Sequence, residues 1–150
     1  MKETFAMRYE ICTVEEIIRR CRHLFMDQWE ESGQYNQKFS LDWNVYARLT
    51  KDDAFGIIAY DSEEVAGYVS VFLSIGQHTS LILAFNDAIY VRPEYRHTGL
   101  GGRLFYMAEE EARRRGAKHF QWACDFGSPL QYALAKRKHG TVQIVYEREL

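Results

Sequence analysis

The chain is poor in the residues that staple, anchor or break a fold. Its three cysteines, Cys12, Cys21 and Cys124, are an odd number and widely spaced. No Cys-x-x-Cys pair occurs, which excludes a disulfide framework and a cysteine cluster for a metal, so no metal is expected. Reduced thiols fit a cytoplasmic protein. Proline is limited to Pro93 and Pro129, and no linker, repeat or low-complexity tract divides the chain. No apolar run approaches the length that spans a membrane, and Met1-Lys2-Glu3-Thr4 opens without the apolar run of a signal peptide. Excess positive charge is also missing. A net charge of −2 argues against a general nucleic-acid binder.

What is present is a core. The 150 residues suffice for one domain, and 47% of them are hydrophobic and 15% aromatic. A domain of this size buries roughly 70% of the surface of its unfolded chain.

Residues 5–12 read as a first strand. Thr13 and Glu16 have the spacing of a capping box. Val14, Ile17, Ile18, Cys21, Leu24, Phe25 and Gln28 keep the helical period, which predicts one helix ending near Ser32-Gly33. A second helix is expected from Ser40 or Asp42 to Thr50. Strands are expected over 55–60, 65–75, 81–91, 119–124 and 141–149, separated by polar turns. Between the fourth and fifth lies the clearest helix, residues 100–115. Glu109/Arg113, Glu110/Arg114 and Glu111/Arg115 stand four apart on it, and Gly116 follows as its C′ residue. Ser128 and Pro129 are the N-cap and first residue expected of a last helix.

One stretch carries chemistry. Asp87-Ala88-Ile89-Tyr90-Val91 reads as strand, Pro93 stops it, and Gly99, Gly101 and Gly102 precede or open the long helix. Such a loop aims unpaired N–H groups at one point and adds the positive end of a helix dipole. That arrangement suits a phosphate or pyrophosphate. The stretch has neither the Gly-Lys-Ser/Thr end of a P-loop nor a Rossmann fingerprint, since Leu104 stands where a third glycine is needed.

Arg96-His97-Thr98-Gly99-Leu100-Gly101 resembles motif A of the GNAT superfamily of N-acetyltransferases, Arg/Gln-x-x-Gly-x-Gly/Ala. The resemblance is motif-specific over about residues 87–116 and covers the strand order of nearly the whole chain. It implies an α/β (α+β) fold: a mixed, mostly antiparallel sheet of six or seven strands with about four helices, strands four and five parallel and splayed. It further implies acetyl-CoA, bound by Ile89, Tyr90 and Val91 along the pantetheine arm and by Arg96, His97, Thr98, Gly99, Leu100, Gly101 and Gly102 at the pyrophosphate. Arg103 is either a further phosphate contact or a solvent-facing arginine. The acceptor would be a small-molecule or peptide amine, with no nucleic acid and no membrane as partner.

The same resemblance assigns roles. The Ile89 N–H would polarise the thioester carbonyl. Asp87 is the first candidate for the base, sharing by alternation a strand face with Phe85, Ile89 and Val91; Glu30 and Glu31 are second choices. The alternative for Asp87 is a structural carboxylate paired with an arginine. Trp29, Glu30, Tyr35 and Trp43 are candidates for the acceptor wall, or else cover the core edge. In the family pattern a tyrosine serves the leaving thiolate, but Lys136 occupies that slot here. Tyr132 lies one turn earlier, so the acid is either Tyr132 or Lys136. Only ten residues follow Gly140, enough for one strand where the family fits two. The sheet is thus either simplified or completed by a second subunit, as a homodimer. The competing functions are a non-catalytic acyl-CoA-binding module and a nucleic-acid-binding domain using the basic ends near 113–118 and 136–139.

Overall fold

The computed structural model describes residues 7–32, 37–138 and 140–150. One five-stranded sheet in the order β1-β2-β3-β4-β5 organises them. The strands are β1 (Met7–Cys12), β2 (Ala54–Asp61), β3 (Glu64–Ile75), β4 (Ile82–Val91) and β5 (His119–Gln121). The first four pair antiparallel, and β5 joins β4 parallel. The helix between β4 and β5 supplies the crossover that a parallel pair needs.

β2 and β3 are buried on both faces over Ala54–Tyr60 and Val65–Val71. Both faces are buried because helices cover them from either side. On one side α1 (Val14–Cys21) and α2 (Phe25–Glu31) pack Val14, Ile17, Ile18, Leu24 and Phe25 against Ile58, Tyr68 and Tyr90. On the other, α4 (Leu100–Arg114) sets Leu100, Leu104, Ala108 and Ala112 against Phe55, Ile57, Val69 and Val71. Two short helices, α3 (Trp43–Ala47) and α5 (Pro129–Ala135), complete the fold.

The caps follow the sequence. The Thr13 hydroxyl accepts from Glu16 N–H at 3.2 Å, and the Ser128 hydroxyl from Gln131 N–H at 3.2 Å. Asp42 caps α3 through Asn44 and Val45 N–H. The first helical run is not continuous: Arg22–Leu24 form a 3-10 turn between α1 and α2, so the four helices expected are present among the described residues, with the first of them broken in two.

Three expectations need correction. The sheet has five strands, not six or seven. Thr141–Glu149 forms no strand among the described residues, and Val142, Ile144, Val145 and Tyr146 are exposed. Alternation there is real, but β5 offers only three residues, too short an edge to hold it. Of the three expected Glu–Arg pairs, the structure forms Glu111–Arg115 at 2.8 Å. Glu110 pairs with Arg113 one position nearer, and Glu109 reaches Arg137 of the segment after α5 at 2.8 Å.

Candidate functional site

The site lies where β4 and β5 part. Their ladder ends at Phe85–Gln121. One residue further on, the Asn86 carboxamide donates to Ala123 C=O at 3.0 Å and accepts from Ala123 N–H at 2.7 Å. A side chain thus replaces the next rung. Beyond it opens a cleft of about 1000 Å³, bordered by β4, the glycine loop, α2 and α5.

β4 carries a bulge at this point. Ser70 pairs with Ala88 and Val71 with Asn86, leaving Asp87 without a partner residue. An extra residue resets the alternation. Ala88 and Tyr90 face the α1/α2 side, whereas Ile89 and Val91 face α4. Asp87 therefore shares its face with Ala88 and Tyr90, not with Ile89 and Val91 as alternation predicts. Its carboxylate accepts from Ser70 Oγ at 2.9 Å and from Tyr46 Oη at 3.1 and 3.2 Å. Solvent reaches it through the cleft, but protein encloses its other sides. That desolvation raises its pKa above the usual carboxylate value, and the two hydroxyl donors oppose the rise without cancelling it. Desolvation and then the Asp87 charge push the Tyr46 phenol up as well, so it remains a donor.

The register also orients the backbone. Arg92 N–H donates to Ala66 C=O across the β3–β4 ladder at 3.0 Å. Antiparallel ladders alternate, so the N–H groups of Ile89 and Val91 point away from β3, toward the parted β5. Val91 C=O on that side accepts from Arg96 Nε at 2.9 Å.

The glycine loop is fixed from below. Tyr95, fully buried, ends the 3-10 turn Pro93–Tyr95 and donates to Asp61 at 2.7 Å. His97 takes the left-handed conformation at φ 63°, and Gly99 follows at φ 91°. Such a conformation costs a non-glycine residue on the order of 1 kcal/mol and clusters where backbone groups are aimed. Gly99 is the N-cap of α4, with no side-chain cap and no acidic residue in the first turn. The first-turn amides of Leu100, Gly101 and Gly102 have no partner within the helix.

These residues suit a diphosphate on a geometric test. A Cβ added at Gly99 or Gly102 would meet nothing within 4 Å, and at Gly101 only Val91 Cγ2 at 3.9 Å. Packing inside the protein therefore does not demand glycine at Gly101 or Gly102, although each costs a helix about 1 kcal/mol relative to alanine. Both line the cleft, so the absent side chains leave room for a ligand to approach the backbone.

Of the other candidates, Ile89, Tyr90, Val91, Arg96, His97, Trp29, Tyr132 and Lys136 line the cleft. The Leu100 side chain is core. Thr98 Oγ1 donates to Tyr95 C=O within the loop. The Arg103 guanidinium lies over the rings of Tyr9 and Tyr106, at 5.9 and 5.5 Å. Glu31 binds Arg96 through both carboxylate oxygens at 2.7 Å. Glu30 lines a shallow neighbouring pocket with Asp27, Arg92 and Glu94. Trp43 stands under Arg22 at 5.2 Å, half exposed and away from the cleft lining. Tyr35 lies outside the described residues. Tyr46 belongs to the aromatic segment 29–46 expected near the acceptor, but its tie to Asp87, like the parts that Ser70 and Asn86 play, is not read from sequence. Ser70 alone left a trace, a polar residue between Val69 and Val71 in an apolar run.

Comparison with known proteins bears on the fold and the family. A thialysine N-epsilon-acetyltransferase of Caenorhabditis elegans is 29% identical over 97 residues, 62% of this chain and 60% of that protein. The chain thus spans about three fifths of that relative. The crystal structure of ribosomal-protein-alanine N-acetyltransferase from Brucella melitensis biovar Abortus 2308 superposes with a TM-score of 0.77 at 14% identity, covering 97% of this chain and 98% of that one. AAC(6')-Iy, solved with the bisubstrate analogue CoA-S-monomethyl-acetylneamine, superposes at 0.69 and 14% identity, covering 96% and 99%. The model of the acetyltransferase (GNAT) family matches residues 18–140, and the chain belongs to that family.

Proposed function

We propose that this chain transfers an acetyl group from acetyl-CoA to a primary amine. The observation that carries the reading is the run Gly99, Gly101 and Gly102, where uncapped amides meet space that no side chain of the protein fills. In this reading the amides of residues 96–102 hold the diphosphate and the outward N–H groups of Ile89 and Val91 receive the pantetheine arm. Acetyl-CoA supplies an acetyl group activated as a thioester.

The protein's residues do the rest. Asp87, at the bulge, takes the proton of the incoming ammonium, because only the free amine is a nucleophile. Ser70 and Tyr46 aim its carboxylate. The Ile89 N–H stabilises negative charge on the carbonyl oxygen. As the C–N bond forms and the C–S bond breaks, the nitrogen gives up its second proton and Tyr132 or Lys136 on the α5 wall delivers one to the sulfur, so that one proton in total passes to solvent.

The test is thiol release from acetyl-CoA against a panel of primary amines, with thermal stabilisation by acetyl-CoA measured in parallel. Release with at least one amine supports the reading. Stabilisation without release from any amine would instead favour a non-catalytic acyl-CoA-binding module.

A further inference from the structure

The acceptor end of the cleft holds little charge. Seen from Asp87, its walls are Phe25, Trp29, Phe39, Leu41, Tyr46 and Tyr68. The half-buried rings of Trp29 and Phe39 lie 5.7 Å apart and face the cleft, backed by the buried rings of Phe25, 6.3 Å from Phe39, and Tyr68, 5.7 Å from Phe25. Among the described residues that line the cleft, the acids are Glu31, Asp87 and Asp125. Glu31 is neutralised by Arg96. Asp125 lies past β5, in the turn that leads to α5. That leaves Asp87, whose hydrogen-bond partners Ser70 and Tyr46 are uncharged.

Asp27, Glu30 and Glu94 line a separate shallow pocket of about 450 Å³, which adjoins the cleft at Glu31 and Tyr90. There Arg92 engages Glu94 at 3.1 Å.

One carboxylate among aromatic walls balances one ammonium. A second fixed charge of either sign would leave water for those walls without a partner. Ring faces, in contrast, favour an apolar body and the cation itself. Resting on the amine-acetyltransferase reading above, we propose that the acceptor is a primary monoamine carried on an aromatic or apolar body. Polyamines, aminoglycosides and free amino acids are selected against.

The experiment uses the whole chain with acetyl-CoA. It compares 2-phenylethylamine, tyramine and tryptamine with spermidine, kanamycin and lysine, reading kcat/KM by thiol release. The arylalkylamines should exceed each multiply charged compound by at least tenfold, and Trp29→Ala should remove most of that margin. Equal or better rates with spermidine, lost in Glu30→Gln, would overturn the proposal and move the acceptor to the outer acidic pocket. If no amine is acetylated, tryptamine binding to the CoA-loaded protein is measured by calorimetry. Binding that Asp87→Asn weakens at least tenfold would uphold the pocket's preference while the transferase reading fails; no binding would overturn the preference itself.

Discussion

The Tyr46 hydroxyl reaches both carboxylate oxygens of Asp87, at 3.2 and 3.1 Å, across 41 residues of sequence. It ties α3 to the bulge of β4 and opposes the desolvation that raises the pKa of Asp87. A base must be ionised to accept a proton, so activity should fall as pH drops through that raised value. Tyr46→Phe removes a donor that favours the ionised form. The acid limb of kcat/KM should therefore move to higher pH. An unmoved limb would mean that another group titrates there.

Asp87→Asn should lower turnover by roughly 10²- to 10⁴-fold, the usual share of a general base. Stabilisation by acetyl-CoA should stay near that of the parent. The stability sign is the reverse of the usual carboxylate case. With its folded pKa raised, Asp87 contributes stability below its unfolded pKa, and that contribution is lost as pH rises through the folded value. At pH 8 the variant's melting temperature should equal or exceed that of the parent; a marked drop would mark Asp87 as a structural carboxylate.

Gly101→Glu separates the ligand from the fold. The new Cβ meets only Val91 Cγ2, at 3.9 Å, and an acid in the first turn of α4 suits the helix dipole. The free protein should melt at or above the parent temperature. Saturating acetyl-CoA, which adds about 2.7 kcal/mol at a hundred times its Kd, should no longer stabilise it. Retained stabilisation in a thermal-shift titration would place the diphosphate elsewhere.

Glu109 ties α4 to the residues that follow β5 and α5, accepting from Trp122 Nε1 at 2.9 Å and pairing with Arg137 at 2.8 Å. Burial alone would raise its pKa, but Arg137 and the Trp122 N–H outweigh that and hold it below the ordinary value. Its contribution is therefore present above the unfolded pKa and lost as pH falls through the folded one. Glu109→Gln should cost about 1 kcal/mol at pH 7, modest because the pair is partly exposed. The gap between variant and parent in denaturant titrations should close toward pH 3. Since the α5 wall of the cleft loosens, KM for acetyl-CoA should rise more than kcat falls.

What the sequence reveals depends on whether a signal is local. Thr13, Ser128, Pro129 and Gly99 act on their own neighbours, and each does in the structure what its residue type favours. Asp87 marks the boundary. No glycine or proline announces the bulge, because an unpaired residue is a property of two strands in register. One inserted position sent its carboxylate to the opposite face. The break at Arg22–Leu24 is hidden likewise, since the apolar period runs on through it. Val142, Ile144 and Tyr146 show the converse. Alternation is necessary for a strand, but a ladder needs a free edge, and Gln121 ends β5 too soon to offer one. Ser70 joined the site, and Tyr46 met Asp87 within it, only through tertiary approach.

The Asn86 bridge to Ala123 makes the width of the sheet's fork a matter of one amide's reach. A shorter residue there would let the two strands zip further and narrow the entrance; a longer one would wedge them apart. The entrance is thus set at a single codon, with no change to either strand's own sequence pattern.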